Sequence, residues 1–324
     1  MNPHVLVTGG SGFLGQALCA ALIAQGLRVT AMVRRPDATL PSGVARWVAP
    51  ELPSLAVDAV QQLATINVVV HAAGRAHMLR DPADDPLAAF RQVNTDGTLA
   101  LARAAAEAGV ARFIFVSSIG VNGSQSIHQP FTADDHPQPD SPYALSKWEA
   151  EQALNQLQAS TGMSVLCVRP PMIYGPAAPG NFALLTRLVA KGWPLPLGAL
   201  NAPRSFVALD NVVDLLMHMV RHPNPPSGVY LVADGQVTTA TQFIRAMAQG
   251  MGQNLSLLPV PATWLQMLMS LVGRGEQMRK MSVPLALDIQ ATVSRLGWTP
   301  PRTMAVAMKR AFSAIPTALP PQEF

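Results

Sequence analysis

Cysteine is nearly absent: the 324 residues hold two, Cys19 and Cys167, each inside an apolar segment. This excludes a disulfide framework and leaves reduced thiols in a core. Charge is sparse as well. Asp, Glu, Lys and Arg make up 13% of the chain against 49% hydrophobic residues, which excludes a disordered or fibrous chain and fits a well-buried globular enzyme. The net charge is +4, but no Lys/Arg run exceeds two, so no nucleic-acid-binding stripe forms and small anionic ligands are the compatible partners. No metal site is expected. Long hydrophobic runs are missing too. The most lipophilic stretch, Trp264 to Val272, is too short to span a bilayer. Placed after Pro259 and Pro261 and before Gly273, it reads as a buried or oligomer-facing helix in preference to one lying on a membrane. The chain enters a strand by His4-Val5 with no charged n-region or apolar h-region, so a cytoplasmic enzyme is the expectation. Internal repeats are absent.

What is present is an alternation of short Val/Ile-rich runs with longer helical patterns. The expected strands are His4–Thr8, Arg28–Val33, Ala45–Val48, Asn67–His71, Arg112–Ser117 and Met163–Val168; the helices between them are Phe13–Gln25, Ala56–Ala64, Pro86–Ala108 and Tyr143–Ser160. Near-continuous apolar strands joined by helices predict an α/β fold, a doubly wound parallel sheet covered on both faces, with ligands bound beyond the C-terminal strand ends. After Arg169-Pro170-Pro171 the alternation breaks. A helix at Phe182–Lys191, another at Asp210–Arg221 and a strand Gly228–Ala233 able to rejoin the sheet are followed by a mostly helical segment and a Pro-rich tail. The division expected is 1–168 with about 207–235 as a Rossmann domain, and 169–206 with 236–324 as a smaller, mixed, mainly helical lobe closing over the strand ends.

Thr8-Gly9-Gly10-Ser11-Gly12-Phe13-Leu14-Gly15 lies between the first strand and first helix. Gly9, Gly12 and Gly15 suit a tight turn, close pyrophosphate approach and close helix–strand packing, so this strand–turn–helix reads as a dinucleotide site. The second strand ends in Val33-Arg34-Arg35, where an NAD site usually carries a carboxylate for the ribose 2′-hydroxyl. Two guanidiniums there suit a 2′-phosphate and favour NADPH over NAD. Tyr143-Ala-Leu-Ser-Lys147 places a phenol and an ammonium one helical turn apart, with the Ser118 hydroxyl 25 residues upstream. The Lys147 charge is expected to pull the Tyr143 pKa from about 10 toward neutrality, for proton exchange at a carbonyl or alcohol oxygen.

These motifs occur in order with His71-Ala72-Ala73-Gly74, Asn94-Thr95-Asp96-Gly97-Thr98, Val116-Ser117-Ser118 and Arg169-Pro-Pro-Met-Ile-Tyr-Gly-Pro176. Over nearly its whole length the chain resembles the extended short-chain dehydrogenases/reductases of the nucleotide-sugar epimerase/dehydratase family. The resemblance implies that Tyr143 is the acid/base, that Lys147 binds the nicotinamide ribose and tunes Tyr143, that Ser118 hydrogen-bonds the reacting oxygen, and that Asn94 supports the Lys147 site through backbone and water. It implies that Phe13, Leu14, Ala72, Ala73, Gly74 and Pro170 line the cofactor, with Glu51 a departure from the adenine-contacting Asp of other members. In the second half, Asn181 and Arg204 match positions that hold the nucleotide diphosphate, with Arg279 a further candidate. Asp210 reads as a helix N-cap. The family also suggests a homodimer through a four-helix interface formed by Pro86–Ala108 and Tyr143–Ser160.

Dehydratases of this family carry Asp-Glu directly after the Ser/Thr, whereas this chain has Ile119-Gly120, which cannot transfer protons. Hydride exchange at one sugar carbon, C4, remains. A 4-ketoreductase using NADPH and a 4-epimerase holding NAD both fit, and the Arg34-Arg35 turn favours the reductase. Arg75 to Met78 and Ser146 to Glu151 resemble a bacterial polysaccharide-pathway subgroup associated with reduction of UDP-4-keto-6-deoxy-N-acetylglucosamine to UDP-N-acetylquinovosamine. Leu285 matches a position that is a bulky Tyr in epimerases rejecting N-acetyl sugars, so it leaves room for an acetamido group. The readings that compete from other classes are an NADPH ketone reductase of flavonoid or steroid type, whose pocket does not need Arg204, and a non-catalytic NADP-sensing protein, against which stand the intact Ser118, Tyr143 and Lys147.

Overall fold

The computed structural model describes residues 2–49, 51–52, 59–76, 83–271 and 275–313. The expected helix start at Ala56, the His77 and Met78 of the subgroup stretch, Val272, the stop at Gly273 and most of the Pro-rich tail lie outside the described residues.

The first part of the chain runs β1 (His4–Thr8), α1 (Phe13–Ala24), β2 (Arg28–Val33), β3 (Ala45–Val48), α2 (Ala59–Leu63), β4 (Val68–His71), α3 (Pro86–Arg91), a π-turn (Gln92–Asp96), α4 (Gly97–Glu107), β5 (Arg112–Val116), a 3-10 turn (Ile119–Val121), α5 (Pro142–Thr161) and β6 (Ser164–Arg169). There follow β7 (Ile173–Tyr174), α6 (Asn181–Ala190), β8 (Pro203–Arg204), β9 (Val207–Ala208), α7 (Leu209–Arg221), β10 (Gly228–Leu231), β11 (Thr238–Thr239), α8 (Ala240–Gly250), α9 (Ala262–Leu271), α10 (Gly275–Ser282), α11 (Gln290–Leu296) and α12 (Met304–Ser313). Seven strands form one sheet, ordered β3-β2-β1-β4-β5-β6-β10, and every neighbouring pair is parallel. This is the expected doubly wound fold, and the strand after α7 does rejoin the sheet.

Alternate residues of the strands supply two separate cores. Val5, Val7, Val29, Ile114 and Val168 pack under α1 and α7, while Leu6, Val69, Phe113, Phe115 and Val165 pack under α2, α4 and α5. Cys19 and Cys167 are both buried free thiols in different cores, so they cannot pair. A third core lies beyond the strand ends, where Phe206 stacks on Phe243 at 4.0 Å and Tyr174 meets Phe243 edge-on at 5.2 Å.

Two local expectations are corrected and a third is narrowed. The helix expected over Pro86–Ala108 is broken into α3 and α4 by the π-turn, which carries Asn94; such turns insert a residue without ending a helix, so hydrophobic periodicity does not reveal them. Asp210 is not an N-cap, because α7 starts at Leu209 after Ala208. No side chain caps α7: Asp234 Oδ1 accepts from the N–H of Ala208, the residue before the helix, at 2.8 Å, and Asp210 pairs with Arg310 at 2.9 Å. The lipophilic helix α9, expected to be buried or oligomer-facing, is not buried within the chain, which leaves the oligomer-facing alternative. Leu265 is its one side chain in the core, and Trp264, Met267, Leu268 and Leu271 face outward.

Candidate active site

The glycine turn has the geometry of an anion cradle. Gly9 has φ +68°, and a Cβ there would stand 2.9 Å from the Ala73 nitrogen. A Cβ on Gly15 would come within 2.1 Å of the Gly9 carbonyl oxygen, so only glycine lets α1 pack against the turn. Gly12 caps α1 without a side-chain bond, and its own N–H donates to the Gly9 carbonyl at 2.8 Å. The first-turn amides of α1, from Phe13 to Gly15, have no acceptor within the helix, and no acidic residue sits there. These features fit a dinucleotide pyrophosphate. Arg34 and Arg35 project into solvent just past β2, Arg35 lying 3.9 Å from Asp37. Ala72, Ala73 and Gly74 form the adjoining turn after β4, and a Cβ on Gly74 would stand 3.2 Å from Lys147 Nζ.

Ser141 caps α5 by accepting from the Ala144 N–H at 3.2 Å, and Pro142 occupies its first turn. Tyr143 and Lys147 therefore stand one turn apart at the sheet-facing start of that helix. Ser118 caps the 3-10 turn after β5, accepts from the Gly120 N–H at 3.1 Å and lies near enough to Tyr143 to act on its phenol. The sequence places all three residues; the structure brings them together. The expected tuning is corrected, however. Burial pushes the Tyr143 phenol up to about 12, only partly offset by the Ser118 hydroxyl. Lys147 is itself desolvated and falls to about 8, with Glu151 one turn on opposing the fall. Its ammonium donates to the Val116 carbonyl at 3.0 Å and lies 4.6 Å over the Phe115 ring. The chain's own groups thus keep the phenol protonated and make it a weaker acid than an ordinary tyrosine.

Asn94 is fully buried, yet its amide is engaged elsewhere than Lys147. Its oxygen accepts from the Arg75 N–H at 2.8 Å, and its nitrogen donates to the Arg75 carbonyl at 3.1 Å and to Ser146 Oγ at 3.0 Å. Behind it runs a relay that sequence reasoning missed. The Thr98 hydroxyl donates to the Asn94 carbonyl at 2.7 Å, so toward His71 Nε2, 2.9 Å away, it can only accept. His71 is then the Nε2–H tautomer, and Nδ1 accepts from Thr8 Oγ1 at 2.6 Å. Thr8 Oγ1 in turn accepts from the Ala73 N–H at 3.1 Å. Burial depresses His71 to about 3, so it stays neutral. This relay joins the glycine turn to the π-turn.

Arg169 was also missed. Its guanidinium grips Glu151 with two nitrogens and donates to Asn122 Oδ1 at 2.9 Å, all three residues being buried. One charged group thereby ties α5, β6 and the turn that carries Ser118. Pro170, also buried, accepts from the Ile119 N–H at 2.9 Å. Only partners distant in sequence reveal these roles; the residue types alone carry no signal.

In the lobe, Arg204 Nη1 donates to the Lys280 and Val283 carbonyls at 2.6 and 2.7 Å, and burial lowers its pKa to about 10. Arg204 thus meets the end of α10, the helix that carries the half-buried Arg279. Asn181 is exposed at the first position of α6. Leu285 exchanges backbone bonds with Pro203 and Ser205 and shares an apolar cluster with Ile119, the residue after Ser118. Glu51 lies exposed beyond β3.

A turn shaped for pyrophosphate, a parallel sheet ending at it and a Ser/Tyr/Lys set define a dinucleotide-dependent oxidoreductase. Residues 5–233 match the model of the NAD dependent epimerase/dehydratase family. The chain belongs to this family and is an NAD(P)-dependent enzyme of the extended short-chain dehydrogenase/reductase type. It is 36% identical to a UDP-glucose 4-epimerase of Vibrio cholerae, covering 97% of this chain and 96% of that one. It is 27% identical to a GDP-6-deoxy-D-mannose reductase of Pseudomonas aeruginosa, over 97% of both. In fold it matches a Thermus thermophilus UDP-glucose 4-epimerase complexed with NAD, with a TM-score of 0.74 at 23% identity over 96% of this chain and all of that one.

Proposed function

We propose that this protein reduces the C4 ketone of a UDP-sugar, UDP-4-keto-6-deoxy-N-acetylglucosamine, to UDP-N-acetylquinovosamine for surface polysaccharide synthesis. The observation that carries this reading is the assembly of Tyr143, Ser118 and Lys147 beside the dinucleotide turn, with buried apolar Ile119 where an elimination needs an acid. The bound dinucleotide supplies the hydride to C4. Tyr143 donates its phenolic proton to O4, Ser118 orients that oxygen, and Lys147 supplies the charge beside the phenolate that results. Asn94 holds the turn next to Lys147. Phe13, Leu14 and the turn glycines take the pyrophosphate, Ala72 to Gly74 and Pro170 flank the cofactor, and Arg34 with Arg35 takes a 2′-phosphate, favouring NADPH. Arg204, Asn181 and Arg279 address the nucleotide diphosphate.

The separate core beyond the strand ends supports a division into 1–168 with about 207–235, and 169–206 with 236–324. A homodimer through α3, α4 and α5 is part of the same proposal and rests on the family resemblance.

A 4-epimerase with tightly held NAD is the second reading, favoured by the Vibrio relative's name. Purified protein given UDP-4-keto-6-deoxy-N-acetylhexosamine and NADPH should consume both. No consumption, together with co-purified NAD and interconversion of UDP-GlcNAc and UDP-GalNAc, would select the epimerase.

A further inference from the structure

Helix α9 presents an apolar stripe that no described residue covers. Trp264, Met267, Leu268 and Leu271 fall at i, i+3, i+4 and i+7, one face of a helix. They are 71%, 70%, 60% and 81% exposed. The opposite side is anchored, with Leu265 buried against the lobe core, and α9 packs along α10. Exposed apolar groups continue on the segments that precede it. Leu258 is half exposed and bonded through its backbone to Leu195; Trp193, two residues before Leu195, is open to solvent with Lys191 Nζ 5.2 Å from its ring.

The lobe that carries α9 is also the basic part of the chain. Residues 170–206 and 236–324 hold eleven Lys/Arg against three Asp/Glu, a balance of +8; the rest of the chain, with the buried Arg169, holds twelve against sixteen, a balance of −4. An anionic nucleotide ligand would account for a few of those cations but not for an open stripe of Trp, Met and Leu.

We propose that this face docks the protein on an anionic phospholipid bilayer, with α9 lying in the plane of the interface. Its apolar stripe would enter the acyl boundary while the basic lobe sits over the headgroups. No helix among the described residues is long and apolar enough to cross a membrane, so the association is peripheral. A second copy of the chain fits less well, because a two-fold contact would bring two lobes of the same positive charge together. A bilayer carrying negative headgroups complements both the charge and the stripe.

The test is sedimentation of the full chain with vesicles of phosphatidylcholine alone or with phosphatidylglycerol added. The chain should pellet with the anionic vesicles, and less so as ionic strength rises from about 0.1 M to about 1 M, where the Debye length shrinks from about 10 Å to about 3 Å. Leu268→Glu/Leu271→Glu should weaken partitioning by roughly tenfold or more with an unchanged melting temperature, since both side chains are exposed. Trp264→Ser alone should weaken it to a smaller degree. Three results would overturn the proposal. The chain could stay in the supernatant with both lipids, or the double variant could partition like the parent. Alternatively, light scattering could show a dimer that the double variant dissociates without any vesicle binding, which would assign the stripe to a second copy.

Discussion

The sheet half and the lobe half of this molecule handle polar groups in opposite ways. In the sheet half they are engaged with one another: Thr8, His71, Thr98 and Asn94 form a closed relay, and Arg169 is gripped by Glu151 and Asn122. In the lobe, Arg204 spends one nitrogen on carbonyls, Asn181 stands open, and a helix shows its apolar side to solvent. The first half fixes how a proton and a hydride meet; the second presents a surface to whatever arrives. Damage should therefore act on rate and stability in the first, and on binding in the second.

The sharpest division comes from Tyr143→Phe, which removes the proton and leaves the cradle intact. Turnover should fall roughly 10³-fold or more with dinucleotide affinity retained, as read by steady-state kinetics beside fluorescence titration. Undiminished turnover would remove the mechanism. Next in size, Arg169→Met strands the buried Glu151 carboxylate and should cost about 3–5 kcal/mol of stability in denaturant melts. A loss within the range of a surface substitution would break the claim that this half is internally bonded.

In the lobe, Arg204→Ala should raise the KM for a nucleotide-sugar roughly tenfold while kcat changes little. Spared activity would instead favour a ketone reductase that does not need a diphosphate contact. Arg34→Ala/Arg35→Ala should weaken NADPH about tenfold or less and leave NADH use unaltered, because only the former carries a 2′-phosphate.

The smallest effect is a pH limb. Lys147, lowered to about 8, loses its charge as pH rises through that value, while Tyr143, raised to about 12, stays protonated. Reductase activity should therefore decline above about pH 8 through Lys147, not through the phenol. The linkage sign for stability is opposite: burying charged Lys147 costs stability below about 8, and that cost is relieved as pH rises toward the ordinary lysine pKa. An activity limb that first appears near pH 10 would contradict the assignment.

Much of the sheet half was legible in the sequence because its inner strands are buried on both faces, while the exposed edge strand β3 shows only Trp47 inward. The spans expected for β1, β2 and β3 match residue for residue, and Gly9, Gly12 and Gly15 form the turn their spacing implies. What escaped depends on partners distant along the chain. Asp234 holds the Ala208 N–H before α7 from 26 residues away, and the helix starts one residue ahead of Asp210, which therefore cannot be its cap. His71 resembles any buried histidine until Thr8 and Thr98 are seen on either side of it. The phenol's pKa was misjudged because Lys147 sits one turn away in sequence, whereas burial, which sequence does not display, outweighs it. In the lobe, α9 has the composition of a core helix, and only packing reveals that a single residue is buried.

The most direct test of C4 ketone reduction by Tyr143 follows one label. Purified protein is supplied with UDP-4-keto-6-deoxy-N-acetylhexosamine and NADPH deuterated at the transferring position, and the released sugar is read by mass spectrometry and NMR. One deuterium at C4 of a 4-hydroxy product, with stoichiometric NADP formed, is the result expected. Unlabelled sugar interconverted at C4 without net cofactor oxidation, or deuterium found at a carbon other than C4, would contradict it.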